Sequence, residues 1–238
     1  MEIEVLGTGS SGNCYKVKIG KATLLLECGL PYKVIQKNLN FKISKIDACL
    51  VTHEHMDHAK AVKDLMKAGV DCYMTKGTAE ALGLKGHRLK IFDTWGERKY
   101  KTAHLEDVMI QPFEAVHDVA EPVSYFIKTR NDDENLVFVT DTAYMKYKIP
   151  ACDVLMIECN YVKSVLDEKD KQGEIDVSLR NRIVKNHMSL ETLVEALKAA
   201  DLSRTKKIYV LHLSDLNSDE ELIKRTIQET TGIEVVVC

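Results

Sequence analysis

His53-Glu54-His55-Met56-Asp57-His58, directly after the apolar run Ala48-Cys49-Leu50-Val51, places three imidazoles and the Asp57 carboxylate within six residues. Imidazole and carboxylate suit zinc, iron and manganese, and a catalytic ion needs protein ligands plus an open position for water. Residues two apart point to different sides of a helix, so His53 and His55 reach one ion only from looping backbone. A tight loop at a strand end can send His53 and His55 to one ion and Asp57 and His58 to a second. A polar loop whose histidines cap the following helix is the competing reading. Four ligand-type residues in six positions favour metal.

Around this loop, short β-like runs recur: Ile3 to Leu6, Tyr15 to Ile19, Thr23 to Leu26, Ile46 to Val51, Val108 to Phe113, Tyr125 to Lys128, Leu136 to Thr140, Val154 to Ile157, Ile208 to Leu211 and Val235 to Val237. Helical patterns interleave with them: Ala59 to Ala68 stopping at Gly69, Leu190 to Ala200 after Ser189 as N-cap, and a terminal helix opened by Ser218-Asp219-Glu220-Glu221 read as a capping box. Two facing sheets with helices outside fit this order.

The ligand run resembles the signature of the metallo-β-lactamase superfamily, and further motifs follow in order over nearly all 238 residues. The resemblance implies an α+β four-layer αββα sandwich with metals at one edge between the sheets. It implies that His117, in Glu114-Ala115-Val116-His117-Asp118, completes the first site with His53 and His55. His212, after Ile208-Tyr209-Val210-Leu211, completes the second with Asp57 and His58. Asp141, after Leu136-Val137-Phe138-Val139-Thr140, bridges the two. The opening Leu6-Gly7-Thr8-Gly9-Ser10-Ser11-Gly12-Asn13-Cys14 is similar to the start of the YycJ/WalJ-type exonuclease branch. Its amides and hydroxyls, with Ser10, Ser11 and Asn13 as candidates, suit a phosphate, although a plain Gly/Ser turn reads the same way. Met156-Ile157-Glu158-Cys159-Asn160-Tyr161 and Val184-Lys185-Asn186-His187-Met188-Ser189, the latter taken to open a helix, resemble segments of the tRNase Z and YycJ-type branches that supply a paired glutamate and histidine. Hydrolysing a phosphodiester expels an alkoxide that needs a proton, which an imidazolium held by a carboxylate can supply. The implied chemistry is attack by a hydroxide bridging two divalent ions, zinc or manganese with iron as a further option. Asp57, Glu158 and His187 are the expected catalytic residues.

Where the superfamily usually has an aspartate ending the third strand, this chain has Glu27 in Leu24-Leu25-Leu26-Glu27-Cys28-Gly29, one methylene longer. A shifted hydrogen bond to the metal loop is the expected consequence. His87 and His104 fit no motif and read as surface residues, and the lone Trp95 reads as a packed side chain.

One domain over residues 1–238 is expected, because only four prolines occur and no linker or low-complexity segment divides the chain. Seven scattered cysteines without a Cys-x-x-Cys pair read as reduced thiols, with Cys28, Cys49 and Cys152 as small core residues. No apolar run approaches eighteen residues and no basic-flanked leader opens the chain, so a cytoplasmic protein is expected. A net charge of −3 gives no overall basic footprint, so affinity for a nucleic acid has to be local. Arg180 and Arg182 are the candidates. Lys163, Lys169 and Lys171 are diluted by neighbouring acids, and Arg204, Lys206 and Lys207 read as a solvated turn. A DNA exonuclease is the resulting expectation, with DNA favoured over RNA as substrate and no membrane partner. The alternatives are a glyoxalase II-like thioester or lactone hydrolase, which has less need of Glu158 and His187, and a metal-stabilised binding module or redox relative.

Overall fold

Runs of Leu, Val and Ile with few polar interruptions become the strands that position the ligand loops. The computed structural model describes residues 1–96, 99–131 and 133–238, which form two compact units. The first comprises Met1–Glu114 and Val119–Glu134, the second Ala115–Asp118 and Asn135–Cys238.

In the first unit, strands β1 (Glu2–Gly7), β2 (Cys14–Ile19) and β3 (Ala22–Leu26) form an antiparallel meander. Helix α1 (Tyr32–Asn38) leads to β4 (Ala48–Leu50), which pairs parallel to β3. After two short helices, α2 (Met56–Ala59) and α3 (Val62–Lys67), β5 (Asp71–Met74), α4 (Lys76–Ala81) and β6 (Leu89–Ile91) extend the parallel part. The ribbon β7 (Thr94–Gly96) and β8 (Lys99–Tyr100) and the meander β9 (Ala103–Leu105), β10 (Val108–Glu114) and β11 (Val123–Thr129) complete the unit.

The second unit is a parallel sheet in the order β12 (Asn135–Val139), β13 (Val154–Glu158), β14 (Lys207–Leu211), β15 (Glu234–Val237). Apart from Glu158 at the end of β13 and Lys207 at the start of β14, its inner strands are apolar, the pattern of a parallel sheet. Helices α5 (Lys163–Gln172), α6 (Val177–Asn186) and α7 (Leu190–Ala199) connect β13 to β14, and α8 (Glu220–Thr231) connects β14 to β15.

Several expectations are corrected. The helix expected over 59–68 is broken. His58 C=O accepts from Cys28 N–H at 2.8 Å and Cys28 C=O accepts from Ala61 N–H at 2.9 Å, so the turn after β3 takes backbone groups that a continuous helix would use. Segment 184–189 opens α7 as expected, with Ser189 capping it by accepting from Thr192 N–H, but its first half also closes α6, whose C-terminus His187 caps. The cap of α8 is Asp219, whose carboxylate accepts from Leu222 N–H, while Ser218 Oγ turns back to Ser214 C=O. Trp95 is 77% exposed on the β7–β8 ribbon, with Lys101 Nζ 5.1 Å from its ring centroid, so it does not pack in a core. The 204–207 turn is an ion cluster: Arg204 and Lys206 reach the nearly buried Asp153 at 2.9 and 3.0 Å, and Lys207 pairs with Glu234. All seven cysteines are free, and all but Cys238 are buried. His87 and His104 are exposed.

Candidate metal centre and acid pair

In the first unit, β3 and β4 run parallel and both end at the metal loop. Thr52 to His55 loop away from β4, and Asp57 and His58 lie on the single turn of α2. His53 Nε2 stands 3.2 Å from His55 Nδ1, and His58 Nε2 stands 3.5 Å from Asp57 Oδ2. Ligand atoms about 2.0–2.1 Å from a tetrahedral zinc lie about 3.3 Å from one another, so each pair has a spacing that fits two ligands of one ion. Thr52 Oγ1, 2.9 Å from His53 Nδ1, engages the ring nitrogen away from that pair.

Close backbone packing holds the loop. Asn13 N–H donates to Asp57 C=O at 2.7 Å and Gly29 N–H to Asn13 C=O at 2.8 Å. A Cβ on Gly29 would lie 1.7 Å from Asp57 O, so this position requires glycine. Glu27 is fully buried at φ +63°, a left-handed conformation uncommon for a residue with a Cβ. Both of its carboxylate oxygens accept from Thr52 N–H at 3.3 Å, and Oε1 stops 3.7 Å from His58 Nδ1, longer than a hydrogen bond. Burial pushes the Glu27 carboxyl above its usual value, against the pull of His58 and Thr52.

In the second unit, Asp141, Glu158 and His212 sit at the carboxyl ends of β12, β13 and β14, the edge where open parallel sheets place their ligands. Asp141 (φ +26°) and His212 (φ +56°) turn the chain there through the left-handed region. Asp141 Oδ2 lies 3.7 Å from His117 Nε2, and Oδ1 lies 3.7 Å from His212 Nε2. One carboxylate with an imidazole opposite each oxygen is a donor set for two ions. Asn186 C=O lies 3.0 Å from His117 Nδ1 and can only accept, so that nitrogen carries the hydrogen and Nε2 keeps its lone pair. Burial lowers the His117 pKa despite the attraction of Asp141, which favours the neutral, ligating ring.

Glu158 is fully buried, and its Oε1 is 2.6 Å from His187 Nδ1 and 3.3 Å from His212 Nδ1. Its Oε2 accepts from Thr142 N–H at 3.0 Å and Met188 N–H at 3.2 Å. Burial alone would raise this carboxyl, but the charge and hydrogen bond of His187 and the bond with His212 hold it below its usual value. Burial works against the His187 charge too, yet Glu158 and then Asp141 outweigh it, so His187 is raised above its usual value. The pair is therefore a buried carboxylate hydrogen-bonded to an imidazole at Nδ1, an arrangement that favours the charged form of both groups.

Of the residues proposed for substrate, Ser10 and Ser11 are exposed on the opening loop. Asn13 is buried and structural in its contacts: its side chain bridges Gly9 N–H and C=O and reaches His58 Nε2 at 3.2 Å. Arg180 is held by Asp167 at 2.7 Å and Asp170 at 3.2 Å, while Arg182 is exposed on α6. Sequence reasoning missed Asn186, Asn160 and Thr142. The Asn186 side chain accepts from Asp118 N–H, and Asn160 Nδ2 donates to His212 C=O at 2.9 Å. Both asparagines lie inside the motif segments, next to His187 and Cys159, and that adjacency was the available signal.

The chain belongs to the β-lactamase superfamily, whose domain profile matches residues 24–213. It is 33% identical over 236 residues to Exodeoxyribonuclease WalJ of Streptococcus pneumoniae, covering 94% of this chain and 85% of that one. It is 28% identical over 242 residues to Exodeoxyribonuclease YycJ of Bacillus anthracis, covering 96% and 88%. Among solved structures, the metallo-β-lactamase fold protein YhfI from Bacillus subtilis superposes with a TM-score of 0.73 at 18% identity, covering 99% of this chain and 95% of that one. The fold is the metallo-β-lactamase fold, as expected, and its His/Asp donor sets suit divalent metal ions. Among the described residues, no helix is long and apolar enough to cross a membrane.

Proposed function

We propose that the protein is a two-metal phosphodiesterase that degrades DNA from an end. In this reading His53, His55 and His117 hold one ion, Asp57, His58 and His212 the other, and Asp141 is shared. Zinc or manganese bound there would polarise the phosphoryl group and acidify the attacking water. His187 hands the Nε2 proton to the departing sugar oxygen while Glu158 keeps Nδ1 hydrogen-bonded and the ring charged. The observation that carries the reading is the 2.6 Å contact between His187 and a fully buried Glu158, because an alkoxide leaving group needs an acid and a thioester's thiolate does not. The names of the relatives 33% and 28% identical point the same way. Seven buried or partly buried thiols support a reducing, cytoplasmic setting. We further propose that the chain works as one domain, since residues 115–118 of the second unit lie in sequence between two stretches of the first.

The test is digestion of DNA and RNA labelled at either end, beside a glutathione thioester, with zinc, manganese and magnesium compared and metal counted per chain. Progressive shortening of DNA with two ions bound is expected. Thioester turnover without DNA shortening, or one ion per fully active chain, would overturn the proposal.

A further inference from the structure

Segment Tyr144-Met145-Lys146-Tyr147-Lys148 follows three residues after Asp141 and carries two tyrosines that are each 51% exposed. The backbone beneath them is tied down. Thr142 N–H donates to Glu158, Thr142 Oγ1 to Tyr144 C=O at 2.9 Å, Ala143 N–H to Val116 C=O at 2.9 Å, and Ile149 is buried at the far end. The rings therefore stand out from an anchored turn. They line a groove of about 350 Å³ whose opposite wall is the face of α7 bearing Thr192 and Ala196. Glu195 also borders the groove and is paired with Lys198 at 3.0 Å. Both walls start at the acid pair: Glu158 Oε2 accepts the N–H of Thr142, ahead of the tyrosine segment, and of Met188, ahead of α7.

We propose that this groove is a base-stacking subsite for single-stranded nucleic acid, with Tyr144 and Tyr147 stacking successive bases and Lys146 and Lys148 meeting the phosphates between them. The inference rests on the nuclease reading above and deepens it. Aromatics interleaved with cations match the alternation of base and phosphate in a single strand, and stacking tolerates every base because each has a π-face. Such sequence tolerance suits an enzyme that shortens strands of any sequence. In a chain with net charge −3, the lysines also supply the local positive charge that phosphate binding requires. Small Thr and Ala side chains on the facing helix leave room for a flat ring.

The test measures affinity of the metal-loaded protein for a fluorescent, nuclease-resistant phosphorothioate single strand, and for the same strand with abasic sites. Tyr144→Ala and Tyr147→Ala should each weaken binding of the normal strand by roughly 5-fold or more, the low end of what stacking one base contributes. Tyr→Phe at either position should restore it. On the abasic strand the parent should bind more weakly, and the Ala variants no more weakly than the parent. Phe41→Ala, removing an aromatic 75% exposed in the first unit, serves as the control and should change nothing. Circular dichroism and melting temperature establish that each variant folds. Parental affinity in the Tyr144→Ala/Tyr147→Ala double variant, or equal losses on normal and abasic strands, would overturn the subsite. So would loss of self-association without loss of DNA affinity, which would assign the face to a second copy. Hydrolysis is scored separately. Normal DNA shortening with tyrosine-independent binding sinks the subsite alone, whereas tyrosine-dependent binding without any hydrolysis sinks the nuclease reading alone.

Discussion

Replacing His187 by alanine should impair hydrolysis only where the leaving group needs a proton. General acid catalysis typically contributes 10²- to 10⁴-fold, about 3 to 5 kcal/mol of barrier, and DNA hydrolysis should fall by that factor. A diester with a nitrophenolate leaving group departs unaided, so the variant should retain most of its activity there. Glu158→Gln gives a finer test. The carboxylate makes a 2.6 Å charge-assisted bond to His187 in a fully buried position, a class of bond that contributes about 1.5 to 3 kcal/mol, or roughly 10- to 150-fold. A glutamine amide can keep its oxygen on Thr142 and Met188 N–H and turn its NH₂ toward His187 Nδ1, giving up the longer 3.3 Å contact with His212 Nδ1, and the melting temperature checks that the fold survives. The ring then loses its counter-charge and carries its hydrogen on Nε2 as a neutral, weak acid. The pH profile separates this loss from misfolding. Glu158 holds His187 above the ordinary imidazole value of 6.5, so kcat should fall on an alkaline limb above that pH. In Glu158→Gln, burial is no longer opposed by that carboxylate and the limb should move to lower pH. Steady-state kinetics on both substrates, with metal content checked, would settle it. Equal losses on DNA and the nitrophenyl diester with metals retained, or an unmoved alkaline limb, would refute the reasoning.

Gly29→Ala forces a Cβ to within 1.7 Å of Asp57 O, backbone against backbone, so overpacking of about 3 kcal/mol should lower the melting temperature by about 6 to 12 °C and weaken metal retention; an unchanged melt would show the loop yields freely. Glu27→Gln should leave the fold intact but lower metal affinity roughly 10- to 100-fold in a chelator competition, because the charge facing His58 is lost; parental affinity would make the residue purely structural. Asp153→Asn should cost about 1.5 to 3 kcal/mol in denaturant unfolding at neutral pH. Burial alone would raise the Asp153 pKa, but Lys206 and Arg204 hold it below its unfolded value, so its contribution is present above that value and lost as pH falls through the folded one. The gap between parent and variant should therefore close in acid, and a pH-independent gap would contradict the ion-cluster account.

Composition made the ligand run legible, since three imidazoles and a carboxylate in six residues survive any uncertainty about backbone. Long apolar strands such as β12 and β13 were legible for the same reason. The strands β5 to β9 are short or broken by polar residues, as in Asp71–Met74 and Thr94–Gly96, and their pairing depends on neighbours that a local window does not contain. Trp95 was misjudged because tryptophan is usually buried, whereas on the two-stranded ribbon it is 77% exposed, with Lys101 over its ring. Arg180 read as a free cation for phosphate because Asp167 and Asp170 are a helix away in sequence and meet it only in the folded chain. Asn13 read as a phosphate contact for the opposite reason: its sequence neighbours suggest an open glycine loop, but its side chain is consumed by Gly9 and His58.

What the sequence could not display is register, and register explains the acid pair. Glu158, the last residue of β13, pairs with Leu211 of β14, while Ile157 pairs with Val139 of β12. The strand that carries the glutamate therefore lies between the two strands whose next turns carry Asp141 and His212. Both turns take left-handed φ values, a conformation of higher energy for residues with a Cβ, and this redirects each chain at the sheet edge. A buried carboxylate at the centre of that edge can accept from the Thr142 N–H beyond one turn and reach the His212 ring on the other. His187 joins from outside the sheet because α6 ends there and its capping residue is extended, at φ −130° and ψ 155°. Shifting β13 by one residue would invert Glu158 to the other face and break all of these contacts together. The acid pair is thus set by strand pairing as much as by the residues themselves, which is why neither Glu158 nor His187 alone announces it.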